Sequence, residues 1–238
     1  MTNPTIVRLT VRNGFGGRRA MILVALPLVL VGLAATFRAL LGVDPDATEG
    51  VIVGLGILVV LPLVALIAGT SVLAAEIDDG SIVYLLAKPI SRHVIVLSKY
   101  VVALTATAAF TVLPIALATA IMTGELKPTL GYVVGALVGG VAYCALFILL
   151  STLTRHAVAT GLLYVLVWEG LLGGLLSGVR WLSVGHWAHA VAESIADDGT
   201  LSESVGPAYA VIAVAVVTIG ALWLAGDRLR SFRLTGDE

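Results

Sequence analysis

Glu169 is the one acid set deep inside a long apolar run, the stretch 157–177. An ionised carboxylate at the centre of a bilayer costs about 2.5–3.5 kcal/mol on insertion scales, so a proton, a polar partner or a wet path must offset it. Two readings stay open for it. Either Glu169 lines a path along which a solute or a proton moves, or it is a hydrogen-bonded structural acid. His186 and His189, three apart beside Trp181 and Trp187, raise the question of a metal, which imidazole pairs often bind. No third ligand falls at a fitting spacing, and an amphipathic segment resting at an aromatic membrane interface accounts for the same residues. The single cysteine, Cys144, sits in an apolar run, which suits a small core residue and offers neither a disulfide nor a thiolate metal site.

The densest run of polar and apolar signals is 76–92, with Glu76, Asp78, Asp79, Gly80, Ser81, Ile82, Leu85, Leu86, Lys88, Pro89, Ser91 and Arg92. It reads as a short surface helix. Asp79 can cap the first turn, Ile82, Leu85 and Leu86 form one apolar stripe, Lys88 suits the negative C-terminal end, and Pro89 stops the helix. Ser91 can then cap the next helix. Glu76 and Asp78 lie too close to an apolar run for ordinary loop acids, which points to a partner or to pairing with Arg92 or Lys99.

Other chemistries lack their residues. The chain has no G-x-x-x-x-G-K-[ST] phosphate loop, so it is not expected to cradle ATP or to be an enzyme of that kind. It has no H-E-x-x-H zinc motif and no G-x-S-x-G nucleophile elbow. No basic soluble module is present that would bind nucleic acid.

These residues are positioned by a chain that is 59% hydrophobic and 12% charged, with a mean hydropathy of +1.05. Soluble domains carry about 25% charged residues. Apolar stretches long enough to cross a hydrocarbon core, which takes about 20 helical residues, run over 20–41, 51–75, 94–122, 130–150, 157–177 and 207–225. They are continuously apolar, without the alternation of barrel strands. The expected fold is an all-α membrane protein of six transmembrane helices forming one domain over 1–238. A cytoplasmic segment (1–19), a cytoplasmic loop (76–93) and an outer loop (178–206) flank the spans. Pro27, Pro62 and Pro114 mark kinks.

With both termini inside, eleven of the fourteen lysines and arginines fall on the cytoplasmic side, leaving Arg38, Lys127 and Arg180 outside. Asp44, Asp46, Glu49, Glu193, Asp197, Asp198 and Glu203 then lie in outer loops. The run 20–41 exceeds a signal-peptide core, so it is expected to stay as the first span. The stretch 6–19 alternates apolar and basic residues and suits a lipid-surface arm. Gly131, Gly135 and Gly139, then Gly170, Gly174 and Gly178, recur every fourth residue, the pattern of close helix packing within one chain or between copies.

The string Glu76, Gly80-Ser81, Leu85-Leu86, Pro89, Ser91-Arg92 and then Lys99 resembles the signature of type-2 ATP-binding-cassette (ABC) exporter permeases. The resemblance implies a transport subunit without its own ATPase, in a bacterial cytoplasmic membrane. It implies a coupling helix at 80–88 docked on a cytosolic ATPase subunit, with Glu76, Asp78, Asp79, Gly80, Ser81, Leu85, Leu86, Pro89, Ser91, Arg92 and Lys99 as coupling residues. ATP and magnesium would be held by that ATPase and no cofactor by this chain. A second permease copy, identical or related, would complete the transporter, with export as the direction of solute movement. It also implies that 6–19 is a surface helix that contacts the ATPase, and that a polar break lies near Glu169, where the fifth span gives way to an outer re-entrant segment. The alternative is a secondary transporter or proton-coupled channel that uses Glu169.

Overall fold

A computed structural model describes residues 18–78, 91–154, 156–196 and 205–231. All regular structure among them is helical. Six helices are long and apolar enough to cross a membrane. The first, α1, is Arg18–Leu41. The second, α2, joins Pro45–Glu49, the π-helical Gly50–Val60 and Leu61–Asp78. The third, α3, joins Arg92–Thr107, the π-helical Ala108–Val112 and Leu113–Thr123. The fourth, α4, is Leu126–Leu153, and α5 is Ala157–Leu175. A single turn, α6 (Ser177–Arg180), leads to the half-length helix α7 (Val184–Ala196), and α8 (Pro207–Ser231) is the last span.

Local chemistry explains the ends. Gly42 (φ 76°) and Gly124 (φ 71°) take the left-handed conformation that closes a helix, and their N–H groups bond to Arg38 and Ala120 carbonyls. Asp44 accepts from the Ala47 N–H at 3.1 Å and Pro45 occupies the first turn, so α2 begins at 45, six residues before the apolar run that the sequence marks. Pro62 and Pro114 each follow a π-helical stretch. A proline rejects the carbonyl four residues back, and a turn widened to i→i+5 bonds, as Leu61 N–H to Gly56 carbonyl, absorbs the misfit as a bulge.

The central helix is α4. It packs most extensively against α7, α8 and the C-terminal half of α2, while α1 lies against the C-terminal half of α3. Glycine tightens the packing among α2, α4 and α5: an added Cβ at Gly161 would fall 2.2 Å from Leu66, and one at Gly69 3.0 Å from Phe147. Tyr143 stacks on Phe147 and Tyr164 meets Phe147 edge-on, at 5.8 and 6.2 Å. Cys144 is buried, its sulfur 3.2 Å from the Thr107 hydroxyl. Met21, Leu28, Leu166, Leu175, Ile212 and Ile219 are exposed on α1, α5 and α8, apolar faces that hydrocarbon accepts without cost.

Candidate functional site

Two places gather the residues singled out by the sequence. The first is the root of the 76–93 loop. Glu76 and Asp78 lie in the last turns of α2, and Asp79, Gly80, Ser81, Leu85, Leu86 and Pro89 lie outside the described residues, as does the 6–19 arm up to residue 17, Arg18 and Arg19 opening α1. Ser91 takes the N-cap position of α3 in an extended conformation. Its carbonyl starts the helix by accepting from the Val94 and Ile95 N–H groups, while its hydroxyl makes no capping bond. Arg92 opens α3. Lys99, two turns further, is 0% exposed and donates from Nζ to the Val72 carbonyl of α2, one of its partners. A buried ammonium must be hydrogen-bonded to be tolerated, and here the bond crosses from α3 to α2. Its placement makes Lys99 a strut between the two helices that carry the loop. Glu76 follows Val72 by one turn. At the same end, the ring of His93 rests on the bare backbone of Gly226 in α8.

The second place is Glu169. It is 3% exposed, within the third π-helical stretch, Tyr164–Leu172. Residues five apart in an α-helix point about 140° from one another. The widened turn brings Tyr164 and Glu169 together, and the phenol donates to Oε1 at 3.0 Å. The Val184 N–H donates to Oε1 at 3.0 Å and the Gly185 N–H to Oε2 at 3.3 Å. The Ser183 hydroxyl also donates to Oε2. Glu169 is therefore the cap of α7, with two helix N–H groups and the positive end of the dipole offsetting its charge. Tyr143 borders the same spot, its hydroxyl buried without a hydrogen bond among the described residues. Glu169 is thus a hydrogen-bonded acid placed where α5 gives way to the hairpin of α6 and α7.

The helix so capped starts beside the midpoints of α2 and α4, at Leu58 and Tyr143, and runs along the N-terminal half of α4. A Cβ at Gly131 would lie 2.6 Å from the Ala192 oxygen, one at Gly135 2.5 Å from the Ala188 oxygen, and one at Gly139 2.9 Å from the Ala188 Cβ. This first glycine stripe thus packs within the chain, whereas Gly174 and Gly178 of the second meet nothing. Trp187 is 3% exposed, and Val184, Ala188 and Ala192 are buried, because the glycine groove of α4 accepts the helix backbone, whereas Trp181 ahead of the helix stays 45% exposed. Indole bonds brace the hairpin, from Trp168 to the Leu182 carbonyl and from Trp187 to the Trp181 carbonyl, which also accepts from Tyr209 of α8.

His186 and His189 face different partners. Nδ1 of His186 lies 2.8 Å from the Ser183 hydroxyl, and Nε2 of His189 lies 3.3 Å from Glu193. Burial lowers both rings, His189 to about 4 with some help from His186, so the contact with Glu193 at neutral pH is a hydrogen bond from a neutral ring. No group of three possible metal ligands occurs among the described residues. Beside His189 opens a cavity of about 360 Å³ whose lining includes Asp46, Glu49, Glu125 and Glu193. The acidity of the separate loops is its trace in the sequence.

A family model described as ABC-2 family transporter protein matches residues 25–226, which include the 76–93 loop and Glu169. A comparison with curated proteins finds none that matches. With the match spanning most of the chain and all six long helices, this protein belongs to the ABC-2 transporter family.

Proposed function

We propose that the chain is the permease subunit of an ABC transporter whose ATP is hydrolysed on a separate cytosolic ATPase subunit. The observation that carries the mechanism is the Lys99–Val72 bond. It joins α2 and α3 just above the loop between them, so a force on that loop moves both helices together rather than prising them apart. In this reading the 80–88 segment is the surface pressed by the ATPase when ATP and magnesium close it. Asp79, Gly80, Ser81, Leu85, Leu86 and Pro89 form and dock the segment, while Glu76, Asp78, Ser91, Arg92 and Lys99 root it. A second permease copy completes the pathway, and the solute moves outward from a cytoplasmic membrane with both termini inside. The basic residues gathered on the side of the 76–93 loop support that orientation.

The engagement of both Glu169 oxygens as acceptors favours this reading over a secondary transporter in which that carboxyl carries a proton. Purification of the intact membrane complex tests the proposal. An ATPase subunit should co-purify, and replacement of Leu85 and Leu86 by alanine should leave insertion intact while separating ATP hydrolysis from solute movement. Transport driven by an ion gradient alone would overturn it.

A further inference from the structure

We infer that the face of α2 from Asp46 to Leu58, together with the cavity at its end, is a binding site for an amphipathic organic cation, the solute class of the proposed permease. Two spaces meet there, at the end of α2 remote from the 76–93 loop. The cavity beside His189, about 360 Å³, is walled by the first turns of α2, by Glu125 and Tyr132 at the start of α4, and by Glu193 of α7. A groove of about 380 Å³ continues from it along α2, and Asp46 and Glu49 border both spaces. The groove residues recur at steps of mostly three and four, which lays them on one face of the helix. The face ends at Leu58, against which Gly185 at the capped start of α7 packs.

The two ends of this site differ in chemistry. At the cavity, Asp46, Glu49, Glu125 and Glu193 supply four carboxylates, and among the described residues no lysine or arginine lines either space. The His189 ring, neutral through burial, brings no opposing charge. Toward Leu58 the floor is apolar. Val53 and Leu58 flank bare backbone, and a Cβ at Gly50 or Gly54 would meet nothing within 4 Å, so there is room for an occupant. A solute with a positive head and an apolar body complements both ends at once, the head among the carboxylates and the body along the groove. Other occupants match less of the site. A metal ion needs converging ligands, and no group of three possible ligands occurs among the described residues. A second copy seated on this face about a two-fold axis would set Asp46 and Glu49 against their own equivalents, a like-charge contact. The site stands on the two spaces and their charge; its role in transport rests on the permease reading.

Dodecyltrimethylammonium and dodecylsulfonate, each carrying a diazirine beside the head group, test the site by photolabelling of the complete transporter in lipid nanodiscs, with the labelled peptides mapped. The cation should label 46–58 and 125–132 at least fivefold more than the anion. Asp46→Asn combined with Glu49→Gln, two exposed positions, should cut that labelling at least threefold, and so should Gly54→Leu, whose side chain fills the groove. Equal labelling by the two probes, or labelling by the cation that neither variant lowers, overturns the site. So does an efficient disulfide between copies of Gly54→Cys in a Cys144→Ala background, which would make this face an interface. In proteoliposomes supplied with ATP the same cation should be moved, and its retention by a complex that hydrolyses ATP overturns the solute class. Cation-selective labelling of a chain that purifies with no ATPase upholds the site and removes the permease reading. An ATPase partner without selective labelling overturns the site and leaves that reading in place.

Discussion

Gly135→Ala is the sharpest probe of how α7 is seated. The added methyl would lie 2.5 Å from the Ala188 oxygen and 2.7 Å from the Ala192 Cβ, where ordinary contact begins at 3.4 Å. The obstructing atoms include helix backbone, which cannot rotate away, so α7 must retreat by roughly 0.9 Å. Overpacking of this kind costs about 1–3 kcal/mol. The retreat also stretches the bonds from Val184 and Gly185 to Glu169, and loss of one hydrogen bond to a charged group adds about 1.5–3 kcal/mol. The expected loss is therefore about 2.5–6 kcal/mol in reversible unfolding from mixed micelles. Gly54→Ala is the matched control, since a methyl there meets nothing within 4 Å and should change stability by less than about 0.5 kcal/mol. Equal stability of the two variants would refute the seating of α7 in the α4 groove.

Lys99→Met should lower the unfolding free energy by about 1–3 kcal/mol by removing the bond to the Val72 carbonyl, and should raise ATP hydrolysis per solute moved in the reconstituted complex. Gly226→Ala puts a methyl within 2.0 Å of the His93 ring, so His93→Ala should restore most of what it loses, with a coupling of about 1 kcal/mol or more in a double-mutant cycle. The His189 ring is held at about 4 when folded against 6.5 when free, so the unfolded chain takes up the proton first. Stability should fall by up to about 3 kcal/mol as the pH drops from 6.5 to 4, and His189→Gln should flatten that slope in a denaturation series.

All six spans were legible in the sequence because continuous apolar runs have few other uses, and the described helices fall where those runs lie. What local pattern cannot give is which surface a polar or small residue meets. The 184–196 segment is amphipathic, which fits a membrane surface as well as a groove; only the glycines of α4, some fifty residues upstream, decide between them. Glu169 was visible as an anomaly. Its partners were not, because the π-helical turn that aligns Tyr164 with it has no simple sequence sign, and Ser183, Val184 and Gly185 arrive through a hairpin. Lys99 carries no mark of burial in its own neighbourhood; the Val72 carbonyl that receives it lies on another helix. The acidic cavity draws on three separate segments and exists only once they are folded together.

The central claim is that the segment between α2 and α3 is pressed from the cytosol by an ATPase. Ser81→Cys in a chain whose single cysteine, Cys144, is replaced by alanine gives one thiol for a photo-activated cross-linker. In sealed membrane vesicles this thiol should react only from the cytoplasmic face and cross-link to a nucleotide-binding subunit, with a yield that changes when ATP is trapped. Labelling from the outer face, or cross-links to lipid alone throughout turnover, would contradict it.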